Sequence, residues 1–393
     1  MRILFCNYEY PPLGGGGGVI NALLAEELAT RHEVTVLSSQ GLGLEPESVV
    51  NGVRVVRVPV FFRSQQAAAN VPSMLTYLPM GIAAGKRLIR EERYDVINTH
   101  FVLPTGPVGD RLAGLGKLPH VLSVHGGDLY DPSKWMSPHR HWVLRTWIKR
   151  LLHRADRVVG QSRNTVENVH TYYDPALSVD RIPLGIRRPS VEAATRGDYG
   201  FSDEQVLLVT VGRLVARKAV DQLISVLKDT GRPDVHLLII GSGPQEQALR
   251  QKTGELGLTE RVHFMGQISE SDKFRLLQIS DIFVSTSQHE GFGLVFLEAM
   301  ASGLPVICYD YGGQTDFLTD GVTGHVVPLN DTGQFADSCR KLISDPDRVR
   351  EMSAGNRARV EELYIDNCAR QYEQLFEEVI RERTRPDSGS HPG

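Results

Sequence analysis

The chain has 393 residues, of which 41% are apolar and 23% are charged, a globular composition that excludes global disorder and fibrous repeats. At about 150 residues per domain, this length predicts roughly two or three domains. The 43 basic and 47 acidic residues leave a formal charge of −4, which argues against a general nucleic-acid binder.

Charge is distributed unevenly along the chain. Residues 1–186 hold 20 basic and 16 acidic side chains, whereas the remainder holds 23 basic and 31 acidic ones. The asymmetry predicts different partners for the two halves.

Cysteine spacing and hydropathy predict the compartment. The four cysteines form no CxxC pair, which argues against a disulfide framework or a zinc site and favours the reducing cytoplasm. No apolar stretch approaches the ~18–20 residues that a membrane span needs. We expect a soluble protein, peripheral at most at the inner face of a membrane.

Short apolar runs alternate with helical patterns throughout the chain. Strands are predicted in the first half at Ile3–Cys6, Val34–Leu37, Val53–Val58, Val96–Asn98, Val121–Val124 and Arg157–Val159. Helices are predicted between some of them at Val19–Ala29, Tyr77–Arg90 and Pro138–Arg154. In the second half the predicted strands are Val206–Val211, Val235–Ile240, Val262–Phe264, Ile282–Val284, Val306–Cys308 and His325–Val327. Such doubly apolar strands alternating with helices predict an α/β protein of parallel βαβ units with helices on both faces.

The alternation falters before residue 205, where the sequence becomes polar and Gly-containing. We therefore predict two Rossmann-like doubly wound domains, 1–186 and 205–365, joined by a linker at 187–204. A helix at 366–382 is expected to pack back on the first domain, and 383–393 to form a flexible tail.

A glycine run, Gly14 to Gly18, follows Pro11-Pro12-Leu13 between the first predicted strand and the first helix. Glycines allow close backbone approach to a ligand, and a helix N-terminus favours an anion. The dinucleotide fingerprint fails, because Val19 stands at its third glycine and the second strand ends without an acidic residue. A flexible surface loop is the alternative interpretation.

The segment His125-Gly-Gly-Asp128 follows a predicted strand, at the edge where open α/β sheets bind ligands. This pattern favours a polar site; the alternative is that His125 only bonds a loop carbonyl. His100 also ends a strand, where a structural role is equally consistent with its apolar flanks.

Two cations, Arg213 and Lys218, follow the strand Val206–Val211. Arg supplies a bidentate fork and Lys a point charge, which together suit a diphosphate, although a solvated surface pair remains open. Gly241-Ser-Gly243-Pro244 forms another strand–turn–helix junction, which fits a nucleotide or a plain tight turn.

Glu290 and Glu298 flank a Gly-containing loop and a predicted helix start near Leu294. Glu298 lies too far along the helix for a capping box, so its carboxylate is predicted to bind hydroxyls. Free amides at Gly293 and Leu294 would hold a phosphate.

Together these residues resemble the retaining glycosyltransferases of family 4, which have the GT-B architecture of two Rossmann-like domains facing a central cleft. The resemblance covers nearly the whole chain, and its hallmark is the Glu290 and Glu298 pair. Its further motifs are the Pro-Pro…Gly-Gly opening, Pro104-Thr-Gly-Pro107, His125-Gly-Gly-Asp128, Gly212-Arg213-Leu…Lys218, Gly241-Ser-Gly243 and Ala299…Gly303-Leu-Pro305-Val.

The resemblance implies an acceptor-side domain at 1–186 and a nucleotide-sugar domain at 205–365. Arg213 and Lys218 would neutralise the donor diphosphate, and Glu298 would bind the ribose. The expected catalytic residues are His125 beside the reacting carbon, Asp128 and Glu290 at the sugar. Further donor contacts are expected from Gly15, Gly16, Gly241, Gly291, Phe292, Gly293 and Leu294.

The chain departs from the family pattern at three places. Ala219 replaces the glycine after the family lysine, and Asp316 replaces the glutamate after Gly312-Gly313. The interdomain pattern reads Gly185-Ile186-Arg187 in place of Gly-Val-Asp, so the hinge geometry is the least direct inference.

The expected reaction moves a hexose-type sugar, with retention, in glycan, glycolipid or polysaccharide biosynthesis. No cofactor or metal is expected, because the cations and the helix start would stabilise the departing diphosphate. A nucleotide-sugar epimerase and a binding protein without catalysis are the alternatives.

The resemblance implies an acceptor that is a glycan, a lipid-linked sugar or a small molecule, and the sequence does not distinguish among them. In the predicted helix 138–154, basic residues accompany tryptophans, a pattern that seats helices at anionic bilayers or, alternatively, packs one face into a core.

Overall fold

The computed structural model describes residues 1–41, 43–63, 70–132 and 135–384. Within them the chain forms two compact units: Met1–Gly185 with the segment after Leu363, and Ile186–Leu363. Most of the predicted tail, residues 385–393, lies outside the described residues.

The first unit is built on an eight-stranded sheet in the order β3-β4-β2-β1-β5-β6-β7-β8. Its strands are β1 (Arg2–Cys6), β2 (Glu33–Ser39), β3 (Glu47–Val50), β4 (Val53–Val58), β5 (Val96–His100), β6 (His120–Val124), β7 (Arg157–Gly160) and β8 (Asp180–Arg181). All pairs are parallel except β3 with β4, an antiparallel edge hairpin that the sequence patterns did not predict.

Helices cover both faces of this sheet, as the doubly apolar strands predict. They are α1 (Gly16–Ala29), α2 (Val71–Glu91), α3 (Gly106–Gly116), α4 (Trp142–Arg154), α5 (Arg163–Tyr172) and α12 (Ile365–Thr384). The predicted helix Pro138–Arg154 is divided, because a 3-10 turn at Pro138–Arg140 ends at the extended residue His141. In α4, Ile148, Leu151 and Leu152 are buried.

The second unit has a six-stranded parallel sheet in the order β11-β10-β9-β12-β13-β14. Its strands are β9 (Val206–Val211), β10 (Val235–Ile240), β11 (Val262–Gly266), β12 (Ile282–Ser285), β13 (Val306–Tyr309) and β14 (Gly324–Val327). Its helices are α6 (Val220–Asp229), α7 (Glu246–Glu255), α8 (Glu270–Ile279), α9 (Leu294–Ala301), α10 (Thr332–Ile343) and α11 (Pro346–Val360). The two parallel-sheet units confirm the predicted α/β class.

Helix α12 follows the second unit in sequence but belongs to the core of the first. Its side chains Cys368, Tyr372 and Phe376 are buried in the same apolar cluster as Ile3 and Phe5 of β1. The first unit is therefore completed by a segment that follows residue 363.

Residues 187–204, predicted as a linker, are part of the second unit. Arg196 begins a 3-10 turn and lies 2.7 Å from a carboxyl oxygen of Asp281, beyond the end of α8. Its guanidinium also donates to the carbonyl of Ile279. The segment is attached to the second unit by polar contacts. Its sequence therefore shows no apolar period and resembles that of a linker.

Two simpler features can be read directly from the described residues. All four cysteines are buried and unpaired. Across the described ranges, no helix combines the length and apolar character needed to cross a membrane.

Candidate functional site

In the second unit, the predicted donor-binding residues gather at the carboxyl ends of the parallel strands. Strand β9 ends at Val211, and a small pocket beyond it is lined by Thr210, Gly212, Arg213, Lys218 and Ser285 of β12, among others. This is the sheet edge at which open α/β folds bind ligands. The structure thus brings both predicted cations into one pocket.

Lys218 forms an ion pair with Glu290 by donating a hydrogen bond from Nζ to Oε1. The other carboxyl oxygen of Glu290 lies 3.4 Å from Nη1 of Arg217. Burial raises the pKa of Glu290, but the Lys218 and Arg217 charges outweigh it and hold the pKa at about 2. Glu290 is therefore a buried carboxylate that stays ionised at neutral pH.

Arg217 is a functional candidate that the sequence did not predict. It also donates to the carbonyl oxygen of His289, so it supports the loop that carries Glu290. The sequence does not single out Arg217, because it lies next to another cation, Lys218, and its partners lie about 70 residues away.

Arg213, in contrast, extends from the strand end with an exposed side chain. Its guanidinium forms no hydrogen bond or ion pair with another residue in the described ranges, whereas its carbonyl accepts from the Val215 amide over 2.9 Å. A guanidinium lining a pocket without an internal partner keeps its bidentate fork for a ligand anion.

Glycines allow the backbone loops of this pocket to approach each other. Gly241 has φ +133°, and a Cβ there would lie 2.0 Å from the carbonyl oxygen of Gly212. At Gly243 a Cβ would lie 2.4 Å from the carbonyl oxygen of Leu214. The predicted glycine turn is therefore required by packing, whether or not a ligand also approaches it.

The loop from Glu290 to Gly293 leads directly into α9. Glu290 pairs with Gly312 in a short parallel bridge, and Gly313 donates to the Glu290 carbonyl over 2.8 Å. Gly291 follows in this loop, and Phe292 is buried against Phe317, with ring centroids 5.1 Å apart.

Helix α9 begins at Leu294 with its first turn uncapped by any side chain. Gly293 adopts φ +94°, a left-handed conformation that turns the chain into the helix. The amides of Leu294 and Val295 have no acceptor earlier in the helix, so they suit an anion, whereas the Phe296 amide donates to the Gly293 carbonyl over 3.0 Å.

Glu298 lies one turn inside α9 and pairs with Lys273 of α8 over 2.8 Å. Lys273 is buried and also contacts Glu270 at 2.7 Å. The second carboxyl oxygen of Glu298 is buried with no hydrogen-bond partner in the described residues, and burial raises the pKa of this carboxyl. One oxygen is fixed by Lys273, and the other is available to a hydroxyl donor.

In the first unit, His125 is buried after β6, with Nε2 2.9 Å from Nδ1 of His100. His100, at the end of β5, also lies 2.9 Å from the side-chain nitrogen of Asn98. Burial lowers the pKa of His125 to about 3, so the ring is neutral at physiological pH. His100 thus directly supports His125, a contact that neither local sequence indicated.

Asp128 accepts two backbone hydrogen bonds, 2.9 Å from the amide of His125 and 2.7 Å from that of Val102. The carboxylate therefore connects the loops that follow β5 and β6. Burial raises its pKa to about 6 against these bonds. Both carboxyl oxygens of Asp128 accept from backbone amides. The geometry therefore favours a positioning role for Asp128, which holds the His125 loop, and not the catalytic role that was expected.

The glycine run begins α1, with Gly15 as its N-cap. A Cβ at Gly15 or Gly16 would meet no atom within 4 Å, so packing in the free protein does not require glycine there. At Gly17 a Cβ would lie 2.3 Å from the Phe101 ring, whose other neighbour is His125 at 4.4 Å between centroids. The glycine run and His125 therefore meet across Phe101.

No cluster of three or more His, Cys, Asp or Glu side chains suited to a metal ion occurs within the residues that the structure describes. Asp345, in the one Asp-x-Asp sequence, instead caps α11 through its side chain.

Family models and curated relatives match most of the chain. A family described as "Glycosyl transferases group 1" matches residues 191–359, and a "Glycosyl transferase 4-like domain" matches residues 15–185. An uncharacterised glycosyltransferase of Methanocaldococcus jannaschii is 30% identical over 368 residues, which cover 88% of this chain and 90% of the relative. A GDP-mannose-dependent phosphatidylinositol monomannoside mannosyltransferase of Mycolicibacterium smegmatis is 29% identical, covering 90% of this chain and 92% of the relative.

Solved structures share the fold. Sucrose-phosphate synthase from Thermosynechococcus elongatus superposes with a TM-score of 0.85 at 23% identity. The match covers 97% of this chain and 100% of the synthase chain. The Anabaena protein HepE, in complex with UDP and glucose, gives a TM-score of 0.76 at 20% identity, with 96% and 100% covered. At these identities the likeness establishes the fold, which is GT-B.

Proposed function

Since the chain belongs to the family 4 glycosyltransferases, enzymes of the EC 2.4 class, we propose that it transfers a hexose-type sugar from a nucleoside-diphosphate sugar to an acceptor hydroxyl. The reaction retains the anomeric configuration and serves glycan, glycolipid or polysaccharide biosynthesis. The observation that carries the proposal is the pocket of the second unit, which is lined by Arg213 and by Lys218, the ion-pair partner of the buried Glu290 carboxylate.

The donor diphosphate binds to Arg213, Lys218 and the first-turn amides of α9 in this proposal. Arg213 offers a bidentate fork that has no partner among the residues the structure describes, and Lys218 offers a point charge. Glu298 accepts a ribose hydroxyl at its unpaired oxygen while Lys273 holds the other. A relative that uses GDP-mannose and a fold neighbour that contains UDP and glucose support a nucleotide-sugar donor, though not one base.

The acceptor oxygen bonds to the anomeric carbon on the face from which the diphosphate departs. The bond from that carbon to the phosphate oxygen breaks, and its electron pair goes to the diphosphate. The acceptor's hydroxyl proton moves to the same leaving oxygen. Positive charge develops on the sugar in an oxocarbenium-like state, which the ionised Glu290 stabilises.

We further propose that the transfer proceeds without a metal ion or other cofactor. Negative charge builds on the departing diphosphate, and fixed cations with helix amides supply the counter-charge that a divalent ion would otherwise provide. Within the second unit, Lys218, Arg217 and Arg213 place three positive side chains around the Gly212 loop.

A panel of uridine, guanosine and adenosine diphosphate sugars tests the proposal. We expect one donor to raise the melting temperature and to release its diphosphate faster when an extract-derived acceptor is added. Anomeric retention is read from the product by NMR. Conversion of the sugar without diphosphate release would indicate an epimerase, and binding without either reaction would indicate a protein that lacks catalysis; both would overturn the proposal.

The surface around α4 supports an acceptor at a membrane, on the cytoplasmic face of an anionic bilayer. Trp142 is 78% exposed, Val143 55% and Trp147 37%, although they belong to the apolar residues of an amphipathic helix. Trp135 and Met136, just before the helix, are exposed too. Exposed basic side chains accompany them: Arg140, Arg145, Lys149, Arg150 and Arg154.

Exposed tryptophans among cations are complementary to anionic lipid headgroups, so we propose peripheral contact through this surface. Co-sedimentation with phosphatidylglycerol vesicles tests it against pure phosphatidylcholine vesicles. We expect binding to the anionic vesicles only, and its loss in Trp142→Ser/Trp147→Ser. The matched control is Val322→Ser, an exposed apolar residue of the second unit. Equal binding by all three proteins would contradict the membrane surface while leaving the transfer reaction untouched.

A further inference from the structure

A row of buried polar side chains leads from helix α12 to His125. The Tyr372 hydroxyl lies 3.0 Å from the Ser123 hydroxyl oxygen, which lies 3.2 Å from the side-chain oxygen of Asn98. The Asn98 side-chain nitrogen lies 2.9 Å from Nε2 of His100, whose Nδ1 lies 2.9 Å from Nε2 of His125. All five side chains are buried.

The Asn98 amide gives this row a direction, because its oxygen can only accept and its nitrogen can only donate. Ser123 donates to the oxygen, so Tyr372 must donate to Ser123. On the other side, Asn98 donates to Nε2 of His100, so the His100 proton lies on Nδ1. That proton is donated to Nε2 of His125.

Both imidazoles are neutral, since burial holds the pKa of His125 at about 3 and that of His100 well below its ordinary value. A neutral imidazole carries one ring proton. With Nε2 accepting from His100, the His125 proton must be on Nδ1.

We infer that Asn98, acting through His100, holds His125 as its Nδ1–H tautomer, so that this nitrogen is a hydrogen-bond donor and not a base. Nδ1 of His125 is buried and has no partner in the described residues. A buried donor without an acceptor marks a place for an oxygen of a ligand. That this ligand is a substrate of the sugar transfer rests on the proposed function.

The tautomer is measured directly by 15N NMR of the full chain labelled at its histidine ring nitrogens. The His125 signals are assigned by their loss in His125→Gln. We expect a protonated Nδ1 and an unprotonated Nε2 in the wild type. A wild-type His125 with its proton on Nε2 would overturn the inference without reference to activity.

The variant Asn98→Asp changes one NH2 group for an oxygen of nearly the same size. Because Asp can only accept, His100 must turn its proton to Nε2 and accept from His125 at Nδ1. We expect the His125 proton to move to Nε2 and kcat to fall about tenfold, the size of one lost hydrogen bond, with the donor Kd nearly unchanged.

The matched control is Tyr372→Phe, which removes a buried hydrogen bond beyond Asn98 and leaves the amide oriented by His100 and Ser123. We expect its His125 tautomer and its kcat to match the wild type. An unmoved proton in Asn98→Asp would contradict the inference. If that variant does not fold, the wild-type spectrum still decides. A wild-type Nδ1–H tautomer in a protein that transfers no sugar would overturn the proposed function alone.

Discussion

Lys218 donates a hydrogen bond to Glu290, which lies 72 residues further along the chain. The cation proposed for the diphosphate is therefore held by the carboxylate proposed for the sugar. Each charge supports the other before a donor arrives: Lys218 keeps Glu290 ionised, and Glu290 fixes the ammonium at the pocket.

We expect Lys218→Ala and Arg213→Ala each to lower turnover about 100-fold or more, because each removes positive charge that stabilises the departing diphosphate. Turnover is measured by diphosphate release at saturating donor and acceptor. The matched control is Lys228→Ala, an exposed lysine in the last turn of α6, which should retain wild-type activity. Near-normal turnover in both pocket variants would remove the cation pair from the mechanism.

We expect Lys273→Met to raise the KM for the donor about tenfold with little change in kcat. The change removes the ammonium that holds Glu298, so the carboxyl loses its fixed orientation and part of its negative charge. Lys341→Met, at an exposed position of α10, supplies the same substitution away from the pocket. A fall in kcat at unchanged KM would show that Lys273 acts on the chemical step instead.

The free energy of unfolding should decrease as the pH falls from 7 to 5. Burial lowers the pKa of His120 to about 4. The Asp110 and Asp156 charges oppose this shift, and the Arg383 charge adds to it. The stability that this ring contributes is present above its unfolded pKa of ~6.5 and is lost as the pH falls towards 4, by about 2 kcal/mol between pH 7 and 5.

Urea denaturation at pH 7 and pH 5 measures this dependence. The decrease in the free energy of unfolding from pH 7 to pH 5 should be about 2 kcal/mol smaller in His120→Gln than in the wild type. In His141→Gln, at a half-exposed residue, it should match the wild type. Equal losses in all three proteins would show that His120 does not contribute to acid sensitivity.

We expect Gly241→Ala to destabilise the second unit by about 2 kcal/mol or more and to weaken donor binding, because its Cβ would overlap the Gly212 carbonyl. Gly254→Ala, in α7, meets no atom within 4 Å and should stabilise the protein by roughly 0.5–1 kcal/mol. Thermal melting with and without the donor separates the two effects. A neutral Gly241→Ala would show that the Gly212 loop can move away.

We expect EDTA to leave turnover unchanged, because the proposed counter-charges are side chains and helix amides. Turnover is compared before and after dialysis against EDTA, and again after addition of Mg²⁺ or Mn²⁺. Inactivation that either ion reverses would contradict the metal-free mechanism.

The fold class could be predicted from the sequence, because doubly buried strands such as Val235–Ile240, in which His236 is the one polar residue, alternate with helices. The edge strand Glu47–Val50 could not, since it alternates in exposure and pairs antiparallel in an otherwise parallel sheet. Residues 187–204 resembled a linker, because the contacts of Arg196 that attach them to the second unit are polar and leave no apolar pattern in the sequence.

Side chains that follow strand ends could be predicted as a site, because parallel strands bring their carboxyl ends to one edge. Arg213 and Lys218 were predicted in this way, whereas Glu290 was predicted from the Gly-containing loop that it precedes. Lys273 was missed and the role of His100 was left open, because each acts through a contact with a residue 25 positions away that no local pattern encodes. The catalytic role of Asp128 was expected from the family resemblance and stays a prediction, and its two backbone bonds show that it connects the loops after β5 and β6.

The return of helix α12 to the first unit has a consequence for biosynthesis. Cys368, Tyr372 and Phe376 emerge from the ribosome only after the entire second unit, yet they line the same apolar cluster as Ile3 and Phe5. The part of the amino-terminal sheet that α12 covers must therefore stay uncovered while the intervening unit is translated and folds. If the chain needs a chaperone, we expect it to bind during the interval in which the second unit is translated.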